Sequence, residues 1–215
     1  MSHDSELQQA VLSELGWEPS VTAAHIGVAA SAGIVTLTGH VKTYAEKYAA
    51  ETAAGRVKGV KAVAEELEIR LETEMSRTDE AIATAAVDRL AWDVSVPHDS
   101  VKVKVEKGWV TLSGQVNWWY QKEAAEQDVR RLFGVLGVSN QTTIKMKVDT
   151  SNLSDDIKHA LHRSWFDPKT VDVSAEGGYV KLTGTVHSMH DRLMAGGTAW
   201  AARGVTHVEN DIAVV

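Results

Sequence analysis

The chain has no cysteine, three prolines and two phenylalanines among its 215 residues. Without cysteine it can form no disulfide, hold no metal through thiolate and use no sulfur nucleophile, and it suits an oxidising or a reducing compartment equally. No run approaches the ~18 apolar residues that a membrane-spanning helix needs. The first residues, Met1-Ser2-His3-Asp4-Ser5-Glu6, lack the basic and apolar regions of a secretory signal. That points to the cytoplasm for the chain as given, or to the periplasm if a leader has been removed. An excess of positive charge is also missing. Lysine and arginine number 22 against 29 acids, and the net charge of −7 argues against non-specific nucleic-acid binding. There is no phosphate-cradling or dinucleotide-binding glycine motif and no identifiable nucleophile–base–orienter set. The expectation is a protein that is not an enzyme and carries no cofactor.

What is present is a nine-residue stretch written three times. It reads Gly33-Ile-Val-Thr-Leu-Thr-Gly-His-Val41, then Gly108-Trp-Val-Thr-Leu-Ser-Gly-Gln-Val116, then Gly178-Tyr-Val-Lys-Leu-Thr-Gly-Thr-Val186. In every copy a further Gly-Val begins 20 residues after the second glycine, at Gly59, Gly134 and Gly204. Self-similarity at fixed spacing specifies a repeat architecture before any propensity argument is needed. The copies occupy residues 1–72, 73–148 and 149–215, with short linkers that favour packing between them.

Each copy opens on an amphipathic helix with apolar residues at i, i+4 and i+8: Leu7, Val11, Leu15; Ile82, Ala86, Leu90; Ile157, Leu161, Trp165. Ser5, Thr78 and Ser154 are the candidate N-caps, followed by acids that suit the helix dipole. Pro19, Pro97 and Pro168 follow this helix and stop it. The loop they occupy is five residues shorter in the third copy than in the second, and it is where the copies differ most. Alternating segments around Ile26, Val101 and Val171 read as strands, and the nine-residue stretch is the return strand of a hairpin. Its valine and leucine point inward. Its second glycine marks a bend or a close approach of backbone.

A second helix with a small-residue inward column follows: Ala50, Ala54, Val57; Ala125, Val129, Leu132; Ala195, Ala199, Ala202. Thr43-x-x-Glu46 and Ser188-x-x-Asp191 read as capping boxes, and Gly59, Gly134 and Gly204 as C′ stops. A last strand alternates through Val63, Leu67, Ile69, Leu71; Val138, Ile144, Met146, Val148; Val208, Ile212, Val214. The fold class is α+β: three tandem α-β-β-α-β repeats, each with two helices on one face of a three-stranded mixed sheet.

The pattern G-x-V-x-L-x-G-x-V, the alanine-rich helix after it and the following G-V-x-x-V resemble the BON family (bacterial OsmY and nodulation) in all three copies. Asn140 and Asn210 match the residue that the family usually carries after the last motif; Glu65 departs from it. The resemblance implies a non-enzymatic binding module of bacterial stress responses. It also implies attachment to an anionic phospholipid surface or a protein partner, with potassium sensing or a chaperone-like role in osmotic stress as the alternatives. The partners left open are therefore a membrane surface, a protein, a monovalent cation and a second copy of the chain.

The middle copy is the electrostatic exception: residues 78–148 are neutral, while 4–71 and 154–215 carry −3 and −2. It also has aromatics where the other copies have none. Trp118 and Tyr120 open its second helix, with Lys122, Arg130 and Arg131 downstream on that helix and Lys102 and Lys104 on its first strand. Amphipathic rings beside cations suit a headgroup layer. Trp109 and Tyr179 project from the sheet face opposite the helices and complete the candidate contact set. Trp119 shares the column of Tyr44 and Met189 and reads as packed. His159/His162 and His187/His190 have i, i+3 spacing, but His162 falls in the column of Leu12 and Val87 and reads as half-buried packing. No metal site is expected. Gly196-Gly197 inside a helix signals close packing.

Overall fold

The nine-residue stretches form the central strand of three separate sheets, which makes them the framework of the protein. In the computed structural model, residues 3–72, 76–145, 152–163 and 170–215 are described. The first repeat runs α1 (His3–Trp17), β1 (Ile26–Ser31), β2 (Ile34–Val41), α2 (Tyr44–Arg56) and β3 (Ala62–Ile69), with one 3₁₀ turn at Ala23–His25. The second runs α3 (Asp79–Trp92), β4 (Val101–Glu106), β5 (Trp109–Val116), α4 (Trp119–Arg130), β6 (Gly137–Asn140) and β7 (Thr143–Ile144). The third runs α5 (Leu153–Arg163), β8 (Val171–Glu176), β9 (Tyr179–Val186), α6 (Met189–Trp200) and β10 (His207–Val214).

Each sheet places the return strand in the middle, with the first strand antiparallel to it and the strand after the crossover helix on its other edge. That last strand is parallel to the centre in the second and third repeats, so the sheets are mixed as the strand–helix–strand crossover requires. The repeated columns are equivalent and buried. Val35, Val110, Val180, Leu37, Leu112, Leu182, Ala50, Ala125 and Ala195 are all 0% exposed. Alanine on the second helix lets it lie close on the sheet, where a larger side chain would hold it off.

Two glycines of the repeat have backbone duties. At the hairpins, paired positive φ angles (51° and 77° at Lys107 and Gly108) form the tight turn whose twist matches the strands. The first-turn acid of the preceding helix holds that turn. Asp79 accepts from the amides of Lys107 and Gly108 at 2.7 and 2.8 Å, and Asp4 from that of Ala32 at 2.9 Å. At Gly39, Gly114 and Gly184, a Cβ would fall 2.0–2.1 Å from the carbonyl oxygen preceding the first strand. The close approach expected at the second glycine is therefore backbone on backbone.

Several local expectations are corrected. Thr78 caps α3, its hydroxyl accepting from the Ala81 amide at 3.2 Å, but Ser5 lies inside α1 and Ser154 donates to the Val173 carbonyl instead. The second helices end at Arg56, Arg130 and Trp200, several residues before Gly59, Gly134 and Gly204. Those glycines, at φ 86–91°, close a further turn leading into the last strand and are not C′ caps. The last strand of the second repeat is broken between β6 and β7, where Asn140 Oδ1 accepts from both the amide and the hydroxyl of Thr142. Leu71 lies beyond β3. Met146, Val148, Trp165 and Pro168 lie outside the described residues. The buried column of α5 is Leu153, Ile157 and Leu161, one turn earlier than the column read from the sequence, so the loop after it matches those of the other copies to about one residue and is not shortened by five.

By contacts the chain divides into two units: residues 1–39, 49–67 and 146–215, and residues 40–48 and 68–145. The division passes through α2. In the first unit, the Gly59 amide donates to the His187 carbonyl at 3.0 Å, and a Cβ at Gly55 would lie 3.5 Å from that of Met189. In the second, Tyr44 packs on the core of the second repeat, and the Arg130 guanidinium lies 3.6 Å from the centre of the Tyr48 ring. The start of the second helix thus contacts another repeat in copies one and three.

Candidate functional site

The opening of α4 is built from Gln121, whose buried side-chain oxygen accepts from the amides of Asn117 and Trp118 at 2.9 and 3.1 Å. Trp118 and Trp119 are half-buried and Tyr120 is 55% exposed. The cations expected beside them are differently placed. Lys122 Nζ donates to the Thr142 carbonyl at 2.7 Å while its own carbonyl accepts from Asn140, and burial holds its ammonium below the ordinary lysine range. It is a tie between helix and strand and no headgroup ligand. Arg130 stacks on Tyr48. Arg131 is exposed at the C-terminal end of α4, about 16 Å along the helix from Tyr120. The expected patch is thereby dispersed.

On the open sheet faces the two aromatics differ. Tyr179 stacks on His207, with ring centres 4.7 Å apart, and its hydroxyl donates to Glu209. Lys181 bridges Glu209 and Asp211 at 3.1 and 2.8 Å, which raises its own pKa and lowers those of both acids. One ammonium beside two carboxylates is a poor seat for an anion. Trp109 instead lies over Gly137 with Lys104 and Glu106 paired at 2.9 Å nearby.

Sequence reasoning passed over the most exposed aromatics among the described residues. Trp17 and Trp92, 84% and 86% exposed, end the first helix of copies one and two. Each stands two residues after a buried leucine, Leu15 or Leu90, and so projects from the opposite side of the helix. That offset was the available signal. Val94, fully exposed, adjoins Trp92. Arg163, two residues after the buried Leu161 and exposed as well, occupies the matching place in copy three.

Between α3 and α4, Arg89 Nε donates to Asp128 Oδ1 at 2.9 Å. Asp128 is buried, and its Oδ2 has no donor. Desolvation raises its pKa, whereas the Ser95 amide lowers that of the neighbouring Asp93. Asp128 is thus the member of the pair that takes up a proton first, and its acid form can donate to Asp93.

The histidines do not gather. His162 is exposed, as is Val87 in the same column, because that column faces away from the sheet; His159 and His187 are exposed as well. Among the described residues no three His, Asp or Glu side chains are placed to hold a metal ion, and no helix is long and apolar enough to cross a membrane. Gly196 is packed as expected, since a Cβ there would meet Asn210 Nδ2 at 3.0 Å. That amide donates to the Arg192 carbonyl, as Asn140 does to Lys122; in the first repeat Glu65 accepts from the Leu67 amide.

Comparison with known proteins adds four findings. The chain is 32% identical over 146 residues to the osmotically-inducible protein Y of Escherichia coli (strain K12), covering 66% of this chain and 73% of that protein. It is also similar to a solved C-terminal domain of CdsD, a structural protein of the Chlamydia trachomatis type III secretion system, at 17% identity over 98% of both chains with a TM-score of 0.28. A second CdsD structure matches at 18% identity and a TM-score of 0.27, over 98% of this chain and 92% of that one. The BON domain pattern matches residues 3–70, 78–146 and 149–215, and the chain belongs to the BON domain family as three tandem copies.

Proposed function

We propose that this chain is a non-enzymatic binding protein of the bacterial osmotic-stress response that docks on anionic phospholipid surfaces. The family and the osmotically inducible relative support the physiological setting. The observation that carries the docking is the pair of exposed helix-end tryptophans, Trp17 and Trp92. An indole has an apolar body and a polar N–H, and it settles at the headgroup level where both are satisfied. Trp92 and Val94 supply a wedge for shallow insertion, with the half-exposed Arg89 guanidinium beside it for the phosphates. Around Trp17, Glu14 and Glu18 surround Arg56, so its attraction to an anionic layer is weaker. The net charge of −7 opposes approach, which makes binding weak and salt-sensitive.

The start of α4 has another role in this reading. Its counterparts Tyr44 and Met189 contact other repeats, and Trp118 belongs to the same type of surface. Co-sedimentation with phosphatidylglycerol-containing vesicles, against phosphatidylcholine alone, tests the proposal. Trp92→Ala should weaken binding several-fold and Trp17→Ala less, with unchanged melting temperature because both side chains stand in solvent. A double variant that binds as well as the parent chain would overturn it.

A further inference from the structure

The open sheet face of the second repeat carries an aromatic ring laid flat and left uncovered. Across β4, β5 and β6, Glu106, Trp109 and Gly137 stand side by side; Lys104, Thr111 and Ser139 form the next outward row, and Lys102 and Ser113 the one after. Neighbouring strands are about 4.8 Å apart and successive rows about 6.8 Å apart. A Cβ built on Gly137 would fall 2.4 Å from both Cε3 and Cζ3 of Trp109 and 2.7 Å from Cη2. Three ring atoms at nearly equal distance from one point place that point under the ring, so the indole lies face down on the glycine. Gly137 is buried beneath it while Trp109 is 52% exposed, which leaves the upper face open. The other copies do not build this platform: the first has Ile34 here, and in the third Tyr179 is already stacked on His207.

We propose that this face binds a neutral oligosaccharide, one pyranose stacking its C–H face on Trp109 and extending its hydroxyls over the Lys104–Thr111–Ser139 row. The negative π face of an indole attracts polarised C–H groups, and a sugar ring offers a flat array of them. Beside that patch a sugar needs donors and acceptors of both kinds. Thr111 and Ser139 hydroxyls, the Gln141 amide 3.4 Å from Ser139 Oγ, the Lys104 ammonium and the Glu106 carboxylate supply them. The charge pattern chooses a neutral occupant over a polyanion. Lys104 and Glu106 neutralise one another at 2.9 Å, which leaves Lys102 as the surplus charge of the three outward rows. A single-stranded nucleic acid needs a row of cations along its backbone as well as a stacking ring.

The test is an ¹H–¹⁵N titration of the full chain with two neutral tetrasaccharides, cellotetraose and chitotetraose, and separately with oligodeoxythymidylate. The expected result is saturable shifts with at least one saccharide, confined to the Trp109 indole N–H and the amides of β4, β5 and β6. Trp109→Leu, which still covers Gly137 with apolar surface, should weaken binding by about tenfold or more. Gly137→Ala should do the same with the tryptophan retained, since the added methyl displaces the ring. Absence of shifts with both sugars, unchanged binding by Trp109→Leu, or shifts with oligodeoxythymidylate alone would overturn the proposal.

Discussion

Replacing Gly114 by alanine should destabilise the second repeat by about 3 kcal/mol, from two separate causes. Gly114 sits at φ 132°, where an L side chain is strained by about 1–3 kcal/mol. Its added Cβ would also lie 2.1 Å from the Ser100 carbonyl oxygen and 3.1 Å from the Ser100 carbonyl carbon. Real Cβ atoms essentially never approach a heavy atom within 3.0 Å, so this carbonyl must retreat by about 1 Å. It cannot do so without loosening the bond it accepts from the Gln115 amide at 3.2 Å and the Val101–Gly114 pairing at the start of β4. Loss of one such bond costs about 0.5–1.5 kcal/mol. A repeat this small has little stability to lose. Four of the chain's seven tryptophans (Trp92, Trp109, Trp118 and Trp119) lie in the second repeat, so urea unfolding followed by their fluorescence reports chiefly on it. Gly16→Ala, in α1 with no neighbour within 4 Å, is the control and should be neutral or mildly stabilising. An unchanged midpoint for Gly114→Ala, or an equal loss for Gly16→Ala, would refute the reasoning.

Two further outcomes follow from the same repeat. Leu112→Ala empties a fully buried site between α3, α4 and β5 and should cost about 2–5 kcal/mol in urea unfolding; a loss under about 1 kcal/mol would mean that this column is not core. Asp128→Asn keeps an oxygen for Arg89 and removes an ionisation that burial disfavours. Because the folded pKa of Asp128 is raised, its contribution is most favourable below the unfolded value of about 3.9 and is lost as pH rises through the folded one. Relative to the parent chain, Asp128→Asn should therefore gain stability as pH rises through that window. A stability difference that stays constant across pH would contradict this.

Much of the architecture was legible from pattern, and particular residues show why. Val110 and Leu112 are inward because a strand has period two, and Ala125 and Val129 because a helix returns every 3.6 residues. Such rules relate a side chain to its own element. They fail where the partner comes from elsewhere. His162 reads as packing from its column, yet that column is outside, as Val87 shows. Lys122 reads as a surface cation until β7 brings the Thr142 carbonyl to it. Ser154 reads as a cap, but its hydroxyl reaches Val173 instead.

By itself, the sequence determined the threefold repeat, the order of elements in each copy, the buried columns of the central strands and the glycines at which backbone meets backbone. All of these follow from chain-local geometry and fixed spacing. The tertiary structure alone decided which polar and aromatic side chains are engaged within the protein and which face solvent. Trp109 meets Gly137 across the β5–β6 crossover, Asp128 is desolvated against Arg89, Arg130 covers Tyr48, and Trp17 and Trp92 are left bare. Those outcomes depend on how separate elements dock. Burial, ion pairing and stacking act through space, and residue order does not encode those distances locally.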